Sequence, residues 1–162
     1  MVRRVSIREV FCDPVHLLAF GFGTGLSPKA PGTVGTLVGI LIQLNYMWFE
    51  VGFELRVVIV VAIALSGVWL CGQSAKRLGV HDHPGIVWDE IAGFLLAVLF
   101  VPDQWAWIVA AFVLFRFFDI AKPWPIGPVD KKVSGGLGIM LDDILAGGFT
   151  VIALGLIQLF LG

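Results

Sequence analysis

Charged residues are scarce in this sequence. Only 14% of its 162 residues are Asp, Glu, Lys or Arg, whereas 58% are hydrophobic and the mean hydropathy is +0.94. A soluble domain is roughly 25% charged, so eleven basic and twelve acidic side chains are too few to cover a soluble surface. This scarcity excludes a disordered chain and a polybasic nucleic-acid binder, and it predicts one membrane-embedded domain over residues 1–162.

Cysteine is also scarce, with only Cys12 and Cys71 in the chain. Two cysteines exclude a disulfide framework, so packing must supply the stability. Cys71 and Arg77 match the C-x5-R spacing of cysteine phosphatases. That interval continues an apolar helix, however, and helical positions six apart do not share a face. We therefore expect Cys71 to take no part in chemistry.

Long apolar runs are abundant and predict an all-α, membrane-embedded bundle of about five main helices. Three runs are long enough for a full span of roughly 17–20 residues. The third and fourth are short and predict either helices that tilt little across a thinned bilayer or a partly re-entrant helical hairpin, with a break at Pro102 and Asp103. Residues 14–22 predict a short interfacial helix, and the basic N-terminus lacks the apolar core of a cleavable signal peptide. The five runs are residues 33–49, 55–71, 86–101, 105–118 and 139–161.

Charge is distributed unequally between the two ends of these runs. If the runs alternate in direction, ten basic residues fall on one side and Arg56 alone falls on the other. This asymmetry predicts a cytoplasmic N-terminus and an external C-terminus. Nine of the twelve acids fall on the same side as the basic residues. The basic residues placed inside are Arg3, Arg4, Arg8, Lys29, Lys76, Arg77, Arg116, Lys122, Lys131 and Lys132.

Acidic pairs stand just inside two of the apolar runs. Asp89-Glu90 is followed after Ile91 by the small residues Ala92 and Gly93, and Asp142-Asp143 is followed after two aliphatic residues by Ala146 and Gly147. Small residues let helices approach closely, so we expect the two pairs to face each other. The alternative is that these acids only favour the helix dipole and stay hydrated.

Asp119, near the end of the fourth run, would bring a fifth carboxylate to the same end. Five carboxylates in one site would repel each other, and carboxylate clusters suit hard cations such as Mg²⁺. His81 and His83 are expected to form hydrogen bonds rather than to bind metal. The predicted metal ligands are Asp89, Glu90, Asp119, Asp142 and Asp143.

Phosphate-binding side chains are expected around the same site. Pro31-Gly32-Thr33 is typical of a helix start, with Thr33 as the N-cap and Gly32 allowing another group to approach. The alternative for this segment is a flexible loop followed by packing glycines. Arg116 and Lys122 share a face with Asp119 before Pro123 ends the helix, although they could equally form an internal ion-pair ladder. The predicted phosphate ligands are Lys29, Thr33, Thr36, Arg116 and Lys122.

Four segments in this order resemble the phosphatidylglycerophosphatase A family. They are KAPGTVGT at 29–36, IVWDE at 86–90, FRFFD at 115–119 with KPWPI at 122–126, and GGLGIMLDD at 135–143. The resemblance implies a Mg²⁺-dependent lipid phosphatase of the bacterial inner membrane. It would hydrolyse phosphatidylglycerophosphate to phosphatidylglycerol and phosphate at the cytoplasmic face.

The catalytic carboxylates would then be Asp89, Asp119, Asp142 and Asp143, either through a water that the metal activates or through an aspartyl-phosphate intermediate. Three other functions stay open at this stage. They are a membrane carrier with a carboxylate cation path, a metal-dependent lipid phosphotransferase, and a non-catalytic assembly subunit.

Overall fold

The computed structural model describes residues 5–161, and within this range the chain is helical without a β-strand, as the sequence predicts. Arg3 and Arg4, which the sequence places on the cytoplasmic side, lie outside the described residues. Each of the five apolar runs overlaps one of the longer helices. The helices are α1 (Ile7–Cys12), α2 (Pro14–Ala19), a 3-10 helix (Gly21–Leu26), α3 (Pro31–Trp48), α4 (Phe53–Leu78), α5 (Trp88–Val98), α6 (Trp105–Ala121), α7 (Ile126–Lys132) and α8 (Gly135–Leu161).

The short N-terminal helices are fixed by polar caps. Ser6 and Glu9 form a capping box at the start of α1, and the Asp13 carboxylate accepts hydrogen bonds from the first backbone N–H groups of α2. Asp13 also accepts a 2.7 Å hydrogen bond from Arg77, near the end of α4. His16 on α2 lies 2.8 Å from the Ser74 hydroxyl. These contacts attach the N-terminal helices to the end of α4.

Within residues 5–161, two helices are long and apolar enough to cross a membrane, and α3, which overlaps the first run of spanning length, is not one of them. These two helices are α4 and α8. Their apolar windows are only 22% and 28% buried, so most of their surface faces outward, unlike the covered core helix of a soluble protein. The 26 residues of α4 span about 39 Å, more than the roughly 30 Å of a bilayer core.

The short helix α5 occupies the centre of the protein. It packs against α3, α4, α6 and α8, and its residues Ile91, Phe94 and Leu95 are almost completely buried. Its 11 residues measure about 16 Å, roughly half of a bilayer core. The acidic residues at the start of α5 are therefore surrounded by neighbouring helices on several sides.

Candidate active site

The two acidic pairs meet because α5 and α8 touch at glycine. A Cβ atom added to Gly93 would lie 2.5 Å from the backbone oxygen of Asp143, and one added to Gly147 would collide with the backbone oxygen of Gly93. Each glycine lies four residues after an acid, Asp89 or Asp143, so both acids share a helix face with the contact. The predicted close approach of these helix starts is confirmed.

Asp119, near the end of α6, completes the acidic cluster. One group of carboxylates consists of Asp89, Glu90 and Asp143, and a second consists of Asp119, Asp142 and Asp143. Within each group, one oxygen of every member lies within 4.8 Å of the others. All five carboxylates predicted from the sequence are therefore brought together, with Asp143 common to both groups.

Several oxygens of this cluster are buried without a hydrogen-bond partner. They belong to Asp89, Glu90, Asp142 and Asp143. Of these four residues, Asp89, Asp142 and Asp143 are no more than 7% exposed. An isolated buried carboxylate is strongly unfavourable, and coordination of a cation is one of the few arrangements that relieves the cost. The donor set consists of carboxylate oxygens alone, so these residues fit a hard divalent cation such as Mg²⁺.

Two basic side chains form ion pairs with carboxylates of the cluster. Arg116 Nη1 lies 2.7 Å from Asp119 Oδ2 and 3.9 Å from Glu90 Oε1. Lys122 Nζ lies 2.6 Å from Asp142 Oδ2 and 2.8 Å from Asp130 Oδ1. Both basic residues contact carboxylates in the structure, so the ion-pair arrangement left open by the sequence is present, while phosphate binding by either one stays a prediction.

Lys122 keeps its positive charge in this position. Burial opposes the charged form, but the hydrogen bonds to Asp130 and Asp142 outweigh it and raise the pKa of Lys122 above its usual value. Asp130 was missed by the sequence reasoning. It follows the turn at Pro123–Pro125 and lies on α7, so no helical spacing connects it to Lys122.

The start of α3 reaches the cluster through Gly32. A Cβ atom at this position would collide with the Glu90 carboxylate, so the predicted close approach at Gly32 is confirmed. The predicted N-cap was wrong, because the cap is Ala30 and Thr33 lies in the first turn. Pro31 explains the shift, since its fixed φ and missing N–H suit the first helical position.

The other predicted phosphate ligands lie along the same segment. Lys29 is exposed just before α3, and Thr33 is half-buried. Thr36 is completely buried, and its hydroxyl donates a 2.8 Å hydrogen bond to the Gly32 carbonyl. Their role in phosphate binding stays a prediction.

Two cavities adjoin this region. A small one of about 50 Å³ is lined by Asp89 and Asp142 and also by His81, Asp82 and Asp130. A larger one of about 630 Å³ lies between the 3-10 helix and His83 and reaches Pro31, next to Gly32. The ring of His83 accepts a 3.0 Å hydrogen bond from the backbone N–H of Gly85, in agreement with its predicted hydrogen-bonding role.

Cys71 is not among the ligand residues of the acidic cluster. It is completely buried within α4, where its sulfur lies 3.9 Å from the sulfur of Met140. Arg77 lies on the same continuous helix and pairs with Asp13. The phosphate-wrapping loop of a cysteine phosphatase is therefore absent from this segment.

Comparison with known proteins gives a consistent result. The family model described as Phosphatidylglycerophosphatase A matches residues 17–158. The chain is 48% identical over 136 residues to Phosphatidylglycerophosphatase A of Escherichia coli (strain K12), covering 83% of this chain and 78% of the relative. It is 44% identical over 147 residues to Phosphatidylglycerophosphatase A of Haemophilus influenzae, covering 90% of each protein.

A third relative carries a different name. The chain is 35% identical over 153 residues to a Bacteroides thetaiotaomicron protein provisionally named phosphatidylinositol-3-phosphatase, covering 90% of this chain and 94% of the relative. No solved structure matches the chain. The family match over most of the chain and the two relatives above 40% identity agree with the four segments that surround the acidic cluster. The chain is an enzyme of the phosphate-monoester hydrolase class and belongs to the phosphatidylglycerophosphatase A family.

Proposed function

We propose that this protein, a single domain over residues 1–162, is a Mg²⁺-dependent phosphatase that hydrolyses phosphatidylglycerophosphate to phosphatidylglycerol and phosphate. The family membership supports the substrate. The observation that carries the proposal is the cluster of five carboxylates, several with buried and unpartnered oxygens, beside the start of α3. An arrangement of this kind needs a cation, and a phosphate monoester is a ligand that such a cation binds well.

The carboxylates of the cluster have two roles in this proposal, which are metal binding and participation in the attack on phosphorus. Bound Mg²⁺ would withdraw charge from the phosphate and stabilise the negative charge that develops during hydrolysis. Asp89, Glu90, Asp119, Asp142 and Asp143 would hold the cation. Two routes remain open for the attack on phosphorus, either by a water whose proton passes to a spare carboxylate or by an aspartate that becomes phosphorylated.

The basic residues have two separate tasks in this proposal. Arg116 and Lys122 orient Asp119 and Asp142 through the contacts described above, and their remaining N–H groups would bind the phosphate. Lys29 and the start of α3, with Thr33 in its first turn and Thr36 in its second, would bind the phosphate as well. A helix N-terminus suits this role because its free N–H groups and dipole favour an anion.

Exposed aromatic residues support a membrane location for the site. The exposed rings at one end of the protein include those of Trp48, Phe49, Phe53, Phe100 and Trp105, and those near the other end include Phe22, Trp69 and Trp124. Aromatic side chains concentrate at the two interfaces of a membrane protein. Phe53 and Trp69 are sixteen residues apart on α4, or about 24 Å, which is somewhat less than the roughly 30 Å of a bilayer core.

The second set of aromatic residues lies near the acidic cluster. Phe22 is in contact with Trp88, the residue before Asp89, at a ring distance of 6.3 Å, and Trp124 follows Lys122 by two residues. This arrangement supports a site at the level of the lipid headgroups, where a phosphate can enter while the acyl chains remain in the bilayer. The charge asymmetry supports a multi-pass protein of the bacterial inner membrane with this end in the cytoplasm.

The proposal is tested by measuring phosphate release from phosphatidylglycerophosphate with purified protein in detergent micelles. Activity is expected only with Mg²⁺, and Asp89→Asn should reduce turnover by two or more orders of magnitude because a ligand charge is lost. Glu54→Gln, which changes an exposed acid at the opposite end of α4, is the matched control and should keep full activity. Normal turnover by Asp89→Asn, or activity independent of divalent cations, would contradict the proposal.

Three further measurements separate the alternative functions. Phosphatidylinositol 3-phosphate as a second substrate tests whether the name of the Bacteroides relative applies here, and we expect slower phosphate release from it. An added alcohol that captures the phosphoryl group would reveal a phosphotransferase. Cation flux into liposomes without phosphate release would indicate a carrier.

A further inference from the structure

We propose that the acidic cluster holds two divalent cations, with Asp143 as the ligand that they share. This inference rests on the proposed function, because it concerns the number and arrangement of the ions that the phosphatase uses. It is drawn from the distances among the carboxylates and from their burial. One ion would be held by Asp89, Glu90 and Asp143, and the other by Asp119, Asp142 and Asp143.

The distances favour two ions over one. Mg²⁺ binds oxygen at 2.0–2.1 Å, so two ligands of one ion lie no more than about 4.2 Å apart. Each group of three has oxygens within 4.8 Å of one another, a separation that small side-chain rotations would close. The two groups have only Asp143 in common. Two-metal phosphoryl-transfer centres hold their ions about 3.5–4 Å apart. A carboxylate shared by both ions is compatible with so short a separation.

The burial of the ligands supplies an independent argument. Asp89, Asp142 and Asp143 are 7%, 7% and 3% exposed, and each has one oxygen without a hydrogen-bond partner. Asp89 belongs to one group and Asp142 to the other, so a single ion in either group would leave an unpartnered buried oxygen in the other. Two ions satisfy both groups at once.

The charge balance of the site also favours two ions over one. The five carboxylates are accompanied by two basic side chains, Arg116 and Lys122, which leaves three formal negative charges, or four if Asp130 is included. One divalent ion leaves the site negative in either case, and a negative site repels a phosphate monoester. A second divalent ion makes the formal charge of the site zero or positive, so that the substrate phosphate can enter.

The basic residues distinguish the two ion positions. Lys122 and Arg116 hold the outer oxygens of Asp142 and Asp119, both in the second group. In the first group, Glu90 is at 3.9 Å from Arg116, a much weaker contact. The first group therefore has the larger uncompensated charge, and we expect its ion to bind more tightly.

The test is Mn²⁺ binding to the purified full-length protein in detergent, measured by equilibrium dialysis and by electron paramagnetic resonance. Two ions per chain are expected, with a spectrum broadened by magnetic coupling between them. Asp89→Ala and Asp119→Ala should each reduce the stoichiometry to one and abolish the coupling. Asp143→Ala should weaken both sites by at least tenfold, and Asp103→Asn, at the opposite end of the protein, should bind two ions as the unmodified protein does.

The outcomes also separate this inference from the proposed function. One tightly bound ion per chain in a fully active protein would overturn the two-ion arrangement and leave the phosphatase proposal intact. Two ions without magnetic coupling would overturn the role of Asp143 as a shared ligand. Two coupled ions in a protein that releases no phosphate from any phospholipid would support the metal centre and contradict the phosphatase proposal. Thermal unfolding of each variant, measured in parallel, identifies any loss of binding that is due to misfolding.

Discussion

At the scale of single residues, burial determines what the acids of this protein can do. Asp143 is 3% exposed, and its carboxylate has oxygens within 4.8 Å of oxygens of four other carboxylates. Glu54, by contrast, is an exposed acid at the start of α4 and has ordinary solvation. The two side chains carry the same charge, but only the buried one is shielded from water and needs a compensating partner.

Cys71 illustrates the opposite case, in which a chemically reactive side chain is used for packing. We expect Cys71→Ala to keep full turnover per folded molecule, because the buried sulfur packs against Met140 and is not among the ligand atoms that form the acidic cluster. The loss of the buried sulfur should lower the free energy of unfolding by about 1 kcal/mol. Phosphate release and thermal unfolding of the purified variant measure the two quantities. A large loss of turnover with intact folding would mean that Cys71 has a catalytic role.

At the scale of helices, close contact between α5 and α8 assembles the site. Gly93 and Gly147 allow two backbones to touch, which places the acidic pair of each helix opposite the other. Gly32 acts similarly for α3, where the missing side chain leaves room for the Glu90 carboxylate. Small residues at these three positions are therefore part of the site, although none of them carries a reactive group.

Gly147→Ala tests this contact. The added methyl group would collide with the Gly93 carbonyl and push α8 away from α5. A displacement of about 1 Å at a catalytic centre can reduce turnover about 100-fold, and we expect a loss of this size.

The adjacent variant Gly148→Ala is a close control, since a Cβ atom at Gly148 would have no neighbour within 4 Å. Both variants make the same chemical change in the same helix turn. They should therefore differ in phosphate release while both remain folded. Equal activities for the two variants would show that the glycine contact does not position the carboxylates.

At the scale of the whole molecule, the polar groups divide into two sets at opposite ends. Opposite to the acidic cluster, Arg56 forms two 2.8 Å hydrogen bonds with Asp103, and Gln43 adds a third of 2.8 Å to the same carboxylate. Arg56 also lies over the ring of Tyr46, 5.6 Å from its centre. This network joins α3, α4 and the loop between α5 and α6, and it accounts for the one basic residue that the sequence places on the external side.

The Arg56–Asp103 network should make stability depend on pH. The hydrogen bonds from Arg56 hold the pKa of Asp103 below its usual value, despite partial burial. A lowered pKa in the folded state means that the carboxylate stabilises the fold fully above its unfolded pKa of about 4, and that this contribution is lost as the pH falls through the folded value. Asp103→Asn should therefore lower the Tm at pH 7, and the difference from the unmodified protein should shrink below pH 4.

The control for this prediction is Glu54→Gln, which removes an exposed charge near the same end of the molecule. Thermal unfolding in detergent at both pH values is the measurement. A Tm difference for Asp103→Asn that is unchanged between pH 7 and pH 3 would show that the carboxylate charge is not the source of the stabilisation.

The orientation of the molecule can be tested with single cysteines. Lys132→Cys at the end of α7 and Glu54→Cys at the start of α4 place exposed thiols at opposite ends, in a chain whose exposed Cys12 is replaced by Ser. A membrane-impermeant maleimide added to intact cells should label Glu54→Cys and leave Lys132→Cys unlabelled until the cells are opened. The reverse pattern would contradict a cytoplasmic acidic cluster.

Much of the fold follows from local sequence properties. The apolar runs, the break at Pro102 and Asp103, and the acids at two helix starts are visible without a structure. The N-cap at Thr33 was predicted incorrectly because Pro31 suits the first helical position, which moves the cap to Ala30. Helix α7 was not predicted, since its seven residues are too few for a clear periodic pattern.

The sequence alone determined that this protein is helical, that its charges lie at the ends of its apolar runs, and that five acids lie in or beside those runs. These properties depend on composition and on residues close together in the chain. Only the tertiary structure decided which carboxylate oxygens lie within reach of one another, that Asp143 belongs to both groups, and that Asp130 shares Lys122 with Asp142. The physical reason is that these distances depend on how closely the backbones of separate helices approach and on where the chain returns after a turn.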